Sequence, residues 1–319
     1  MEQRRAFVRR HTGRWSAFAA DGAVLCIAMV WGASYPVAKT ALFFVPVLAL
    51  ISLRFAITAA VMTCLNWREI VAVKASDFAA SLALGTILFA IFVAETFGVS
   101  RTSATNAAFI ISLCTVMTPL LDYGLARRGP PLRVVGAAIL SCAGVAVLCK
   151  QLTALSAGDG LVLVAAGLRA LMVVSTKRLM RNRQLSSGAL TAVQSSTVFV
   201  LACVFAAVTG VKVDRSVVTQ VPFVEALLFL SILCTIAAFY IQNLAVRRSS
   251  PTKVSFLMST EPVFGLIFAS IVLAEPISAR ALAGGAMILS GTIIGILGDM
   301  GTRRRTSQTV DGSAGPLTT

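Results

Sequence analysis

Apolar residues fill this chain in long blocks separated by short polar punctuation. Runs rich in Val, Leu, Ile, Ala, Phe and Met cover 22–45, 47–66, 77–98, 104–125, 132–149, 159–176, 187–209, 222–244, 254–273 and 280–298. A helix of roughly 20 apolar residues crosses a bilayer, so each of the ten blocks reads as a transmembrane span. The connections are too short to hold a soluble domain, and the spans must bury against one another. The fold class that follows is an all-α polytopic membrane protein with ten transmembrane helices in one bundle.

Composition agrees with this pattern. The 319 residues are 57% hydrophobic and 13% charged, with a mean hydropathy of +0.86, whereas soluble domains are about a quarter charged. A net charge of +15 raises the question of nucleic acid, and its distribution answers it. With loops assigned alternately to two sides, twenty Lys and Arg fall on the N-terminal side. Only Arg101, Lys150, Lys212, Arg215 and Arg280 fall on the other. This positive-inside bias places both termini in the cytoplasm and makes the lipid bilayer, not nucleic acid, the partner of the basic excess. Residues 1–21 then form a basic cytoplasmic arm. The first apolar run is too long for a signal core and lacks a small-x-small site, so it reads as a span. The Gly/Ser/Thr-rich stretch 299–319 reads as a disordered cytoplasmic tail.

The seven cysteines all lie in apolar runs without metal or redox spacing and read as small buried hydrophobes. The single histidine, His11, sits in the basic arm, which excludes histidine catalysis or metal binding within the membrane. No phosphate-binding loop or zinc-helix motif occurs, and no cofactor is expected.

The chain overlies itself at an offset of 147 residues. "VSRTSATNAAFIIS" (99–112) falls on "VRRSSPTKVSFLMS" (246–259), with identities that include Arg101/Arg248, Phe109/Phe256, Arg133/Arg280 and Gly144/Gly291. Spans four and five thus correspond to nine and ten, giving repeats over 22–150 and 159–298. Five spans per repeat is odd, so the second repeat enters from the opposite side. Inverted repeats of this kind recur in secondary transporters, with the site near the midplane between the halves.

Five segments together resemble the EamA-like branch of the drug/metabolite transporter (DMT) superfamily. They are "VWGASYPVAK" (30–39), "LRFAITAA" (53–60), "RTSATNAAFI" (101–110), "STEPVFGLIFASIVLAEP" (259–276) and "GGAMILSGTIIGI" (284–296). The resemblance implies secondary transport of small metabolites, often export, through a cavity lined mainly by spans 1, 3, 4, 6, 8 and 9. It brings Trp31, Tyr35 and Asn106 into the expected substrate-binding set. The chain departs from the pattern where Cys114-Thr115 stands opposite Glu261-Pro262, and where Arg169 replaces an expected apolar or aromatic residue.

Charges inside the runs are the remaining candidates, since a charge at the bilayer centre costs from about 2.5 to over 10 kcal/mol and faces a partner or a wet cavity. Lys39, Asp122 and Glu225 lie near span ends and are read as topological. Arg54 is read as a bridge to neighbouring carbonyls or to Gln194. Arg169 and Glu261 sit near mid-span, at depths that agree within roughly 5 Å by helix rise. Either they pair to fix packing, or Arg169 takes an anionic group of the substrate while Glu261 takes a cationic group or a coupling proton, as an amino acid-like zwitterion requires. Glu95 and its repeat counterpart Gln242, beside Asn243, are read as an outer gate or as interhelical hydrogen bonds.

Pro36, Pro119 and Pro262 interrupt spans 1, 4 and 9 and are candidate hinges, because each deletes a backbone hydrogen bond and crowds the carbonyl four residues earlier. Gly291 and Gly295 form a GxxxG pair suited to a dimer or to internal packing, the latter favoured, so a monomer or weak homodimer is expected. The function that these readings support is gradient-driven transport of a small polar or amphiphilic metabolite across the inner membrane, with efflux as the direction. Uptake by the same fold, a membrane-embedded enzyme and a lipid-handling protein are the competing classes.

Overall fold

The computed structural model of the protein describes residues 17–102, 107, 110–148, 156–213, 216–264, 267 and 278–313. Outside them lie most of the N-terminal arm with His11, Asn106, Cys149 and Lys150, Arg215, Glu275, and the last six residues.

Among the described residues the fold is helical without strands: α1 (Ala17–Gly32), α2 (Ser34–Leu42), α3 (Val47–Val71), α4 (Ala75–Arg101), α5 (Cys114–Leu125), α6 (Leu132–Leu148), α7 (Ala157–Leu179), α8 (Ser187–Val208), α9 (Val221–Leu228), α10 (Ala238–Arg248), α11 (Pro251–Met258) and α12 (Ala279–Ser313). A π-helical segment, Phe229–Ala237, joins α9 to α10. Among the described residues seven stretches are long and apolar enough to cross a membrane, and Ile110–Leu125 and Leu132–Val147 are shorter apolar helices. The protein is therefore a multi-pass membrane protein.

Its surface is inverted relative to a soluble domain. Leu65, Trp67, Leu132, Val208 and Leu297 are exposed, whereas Thr58, Ser81, Thr115, Ser141, Thr191, Gln194, Ser231, Thr235 and Asn243 are buried. In hydrocarbon a polar group must find its partner inside the protein. Thr58, Ser81, Thr191, Thr197 and Ser231 do so by donating to the carbonyl four residues earlier on their own helix.

Helix ends carry local signals. Ser156 and Asp159 form a capping box at α7, Ser186 caps α8, and Ser250 caps α11 with Pro251 at its first turn. Breaks within spans follow the prolines. The first span parts at Ala33, three residues before Pro36. The ninth parts at Ser259–Thr260, just before Pro262, and resumes over Glu261–Phe264. The fourth parts at Leu113, with Pro119 inside the following helix.

Two expectations are corrected. Helix α1 begins at Ala17 and α12 runs on to Ser313, so neither terminal segment is divided from its span where the polar composition changes. Asp299, assigned to a disordered tail, is 1% exposed and accepts hydrogen bonds from the Tyr123 hydroxyl (2.9 Å) and Ser250 Oγ (2.5 Å). The pattern of charges hid this, because a carboxylate at the end of an apolar run looks the same whether it meets water or two hydroxyls. Cys26 and Cys64 are exposed on the apolar surface rather than buried.

Helices α6 and α12 pack closely because glycine removes side chains where they cross. A Cβ on Gly144 would stand 2.7 Å from the Gly284 carbonyl oxygen, and one on Gly291 would stand 2.7 Å from that of Ala137. Gly295 lies under the Phe256 ring of α11. The GxxxG pair is thus occupied within the chain.

Candidate functional site

Beside the break in the first predicted span and the π segment of the eighth lies a cavity with about 470 Å³ of unfilled space, part of it open to solvent. Its wall takes one face of the first span (Trp31, Ser34, Tyr35, Ala38) and one of α4 (Phe92, Glu95, Thr96, Val99). Arg54, Arg169, Leu230 and Phe239 complete it. Both faces follow the i, i+3, i+4, i+7 spacing that puts side chains on one side of a helix.

Arg169 stands at the centre. Its Nη2 and Nε donate to the two Glu95 oxygens at 2.9 and 3.1 Å, a bidentate ion pair. The flat side of its guanidinium lies 4.9 Å from the centroid of Trp31. The Trp31 indole N–H donates to the Cys234 carbonyl at 3.0 Å, inside the π segment, and its ring leans on Phe239. A π turn widens the helix and recurs at functional sites; here it presents a carbonyl to the first span. One residue on, the Thr235 hydroxyl donates to the Leu230 carbonyl and accepts from Arg54 Nε at 2.5 Å. Arg54 also stacks on Phe92, 4.7 Å from its centroid.

Depth alone matched Arg169 with Glu261, but the hydrogen-bonded partner of Arg169 is Glu95. Glu95 itself lines the cavity. Glu261 is buried behind the wall, with Arg169, Glu95 and Tyr35 as electrostatic neighbours. Its Oε1 has no hydrogen-bond partner among the described residues, and neither has the buried Tyr35 hydroxyl.

Gln242 is not among the residues that line this cavity. It lies five residues before Arg247, whereas Glu95 lies towards the end where Lys39 Nζ donates to the Thr102 carbonyl. Asn243 beside Gln242 donates to Thr191 Oγ1 (2.9 Å) and Gln194 Oε1 (2.8 Å), so the interhelical role holds for that residue. Pro36 and Pro262 sit immediately beyond the breaks next to the wall, and Pro119 is buried within α5. Asn106 lies outside the described residues.

The two ends of the bundle differ. At the Arg247 end, Arg183 bonds Asp77 at 2.6 Å, Lys253 bonds Asp21 at 2.6 Å and Lys177 Nζ donates to the Arg247 carbonyl. At the other end, Thr102 Oγ1 donates to Asp159 at 2.5 Å, and the wall reaches towards this end through Ala38 and Val99.

The missed wall residues were partly legible. Phe92, Thr96 and Val99 share the helical face of Glu95, and Ser34 and Ala38 that of Trp31. Arg54 was visible as a mid-span cation, but its route across to Thr235 depends on the π segment, which has no local signature. No group of three metal-ligating side chains occurs among the described residues.

A model of the EamA-like transporter family matches residues 19–149 and again 156–297. The chain belongs to the EamA-like transporter family. Within this DMT superfamily branch it is similar to an uncharacterized transporter of Archaeoglobus fulgidus, 27% identical over 86% of this chain and 85% of that one. An uncharacterized transporter of Methanothermobacter thermautotrophicus is 28% identical over 62% of this chain and 58% of its own length. A solved crystal structure, 17% identical, superposes with a TM-score of 0.72 over 89% of this chain and 98% of that chain, a likeness of fold. Family and relatives alike indicate a membrane transporter rather than an enzyme.

Proposed function

We propose that this member of the EamA-like transporter family is a secondary transporter of a small, amphiphilic, amino acid-like metabolite. It works by alternating access at the cavity around Arg169. The observation that carries this reading is the cavity wall itself. Aromatic rings of Trp31, Phe92 and Phe239 stand beside the Arg169–Glu95 pair and Arg54, next to the break at Ala33 and the π segment. Ground-state contacts of both kinds suit a molecule with an apolar body and charged groups.

Two inverted five-span repeats, 22–150 and 159–298, would supply the two states. The double family match supports this division. So does the packing of α6 on α12, in which the Gly144–Gly284 and Gly291–Ala137 contacts exchange under the same 147-residue offset. The conformer described is the one accessible from the Thr102 end, since ion pairs join the helices at the Arg247 end. By the charge bias that end faces the cytoplasm of a cell whose inner membrane holds the protein, with both termini inside. Efflux is the direction that the family resemblance implies. Glu261 is the acceptor for a coupling proton or for the substrate's cationic group, and Pro36, Pro119 and Pro262 are the hinges. The closure of the GxxxG pair within the chain favours a monomer.

Purified protein in liposomes, offered radiolabelled amino acids, organic cations and sugars at two pH values, tests the reading. Saturable flux of one class is expected, weakened by Arg169→Gln and changed in its pH dependence by Glu261→Gln. Absence of saturable flux, or flux indifferent to both substitutions, would overturn it.

A further inference from the structure

Among the described residues Arg54 lines the cavity without an ion-pair partner. Arg169 is neutralised by Glu95. Lys39 and Lys177, the other cations buried along spans, give their ammonium protons to the carbonyls of Thr102 and Arg247. Arg54 spends Nε on the Thr235 hydroxyl and its flat face on Phe92. Its two Nη groups, with four N–H donors, have no hydrogen-bond partner among the described residues although the side chain lines the cavity. The wall therefore carries Arg54, Arg169 and Glu95, with Glu261 buried beside Arg169. A guanidinium held by the Thr235 hydroxyl and the Phe92 ring is already ordered, so little rotamer freedom remains to be lost when a ligand arrives.

We propose that Arg54 is the residue that binds a carboxylate group of the transported metabolite, Nη1 and Nη2 donating to it. This rests on the reading of the cavity as a transport site. The open Nη donors call for an acceptor, and the planar fork fits a carboxylate better than a lone ammonium would. Phe92 and Phe239 leave the apolar part of the metabolite beside the ring that Arg54 stacks on. Arg169, whose fork is filled by Glu95, then acts as a positioning residue that holds α4 against α7.

The test uses full-length purified protein in detergent at constant ionic strength, with thermal unfolding followed against benzoate, benzamide and benzylammonium. These three probes share a ring and differ in charge. The expected result is an apparent affinity for benzoate at least about tenfold tighter than for benzamide, the scale of charge-assisted hydrogen bonds. Arg54→Gln should bring that ratio to about one, with Arg54→Lys between the two because it keeps charge and loses the fork. A wild type without benzoate preference overturns the proposal. So does a preference kept by Arg54→Gln and lost by Arg169→Gln. If Arg54→Gln does not fold, Arg54→Lys decides, and unchanged benzoate affinity overturns the proposal. Benzoate preference that needs Arg54, found together with no flux in liposomes, supports the carboxylate site and removes the transport reading alone. Flux of carboxylate metabolites untouched by Arg54→Lys removes this inference alone.

Discussion

The Arg169–Glu95 pair makes the sharpest quantitative prediction. At 2.9 Å two unit charges attract by about 6 kcal/mol in an effective dielectric of about 20. Their side chains are 20% and 14% exposed, towards the cavity, and water there reduces the figure. Removing one partner of a buried pair costs about 3–5 kcal/mol, mostly because the other charge is stranded. We therefore expect Glu95→Gln to lower stability by about 3 kcal/mol at the low end of that range. Arg169→Gln should cost a similar amount, with an added loss of about 0.5–2 kcal/mol from its contact with Trp31. The double variant should be much milder than the sum, a coupling of about 2 kcal/mol. Unfolding in mixed micelles of graded SDS content measures all four corners of this cycle. A coupling below about 0.5 kcal/mol refutes the reasoning. A parallel cycle on Arg169 and Glu261 serves as control, and a larger coupling there would mean that Arg169 rests on Glu261 instead.

Three further outcomes follow from the packing. Gly291→Leu should destabilise the protein by about 2 kcal/mol or more, because its side chain meets the backbone of α6, whereas Gly136→Leu, with open space before it, should be close to neutral in the same thermal assay. Asp299→Ala strands the hydroxyls of Tyr123 and Ser250 and should cost about 2–3 kcal/mol. A chain ending after Met300 should melt like the full protein, one ending after Gly298 should not, and equal melting of the two would remove Asp299 from the fold. Pro262→Ala should slow turnover in liposomes more than it weakens substrate binding; unchanged turnover would count against a hinge at Ser259–Thr260.

The membrane class and the family were legible in the chain, since bilayer crossing demands long apolar blocks and the five family segments are contiguous. The cavity was legible in part. Trp31, Tyr35, Glu95 and Arg169 were expected at a site and line it, while Gln242 sits towards the other end of the bundle. Depth along a span follows from residue count, which is why Arg169 and Glu261 were matched at all. The angle at which a side chain leaves its helix relative to neighbours does not, and it gave Glu95, not Glu261, to Arg169.

By itself the sequence determined a multi-pass helical bundle, because hydrophobicity is additive along the chain and each span must satisfy its own backbone. It also marked the positions where prolines break the helices. Only tertiary structure decided which charges meet and which stay open: Arg169 on Glu95, Arg54 on Thr235 through a π turn, Asp299 between two hydroxyls, and Glu261 Oε1 unbonded among the described residues. Those outcomes depend on helix rotation and on non-local carbonyls freed at breaks, quantities that arise when helices pack together and that no single span encodes.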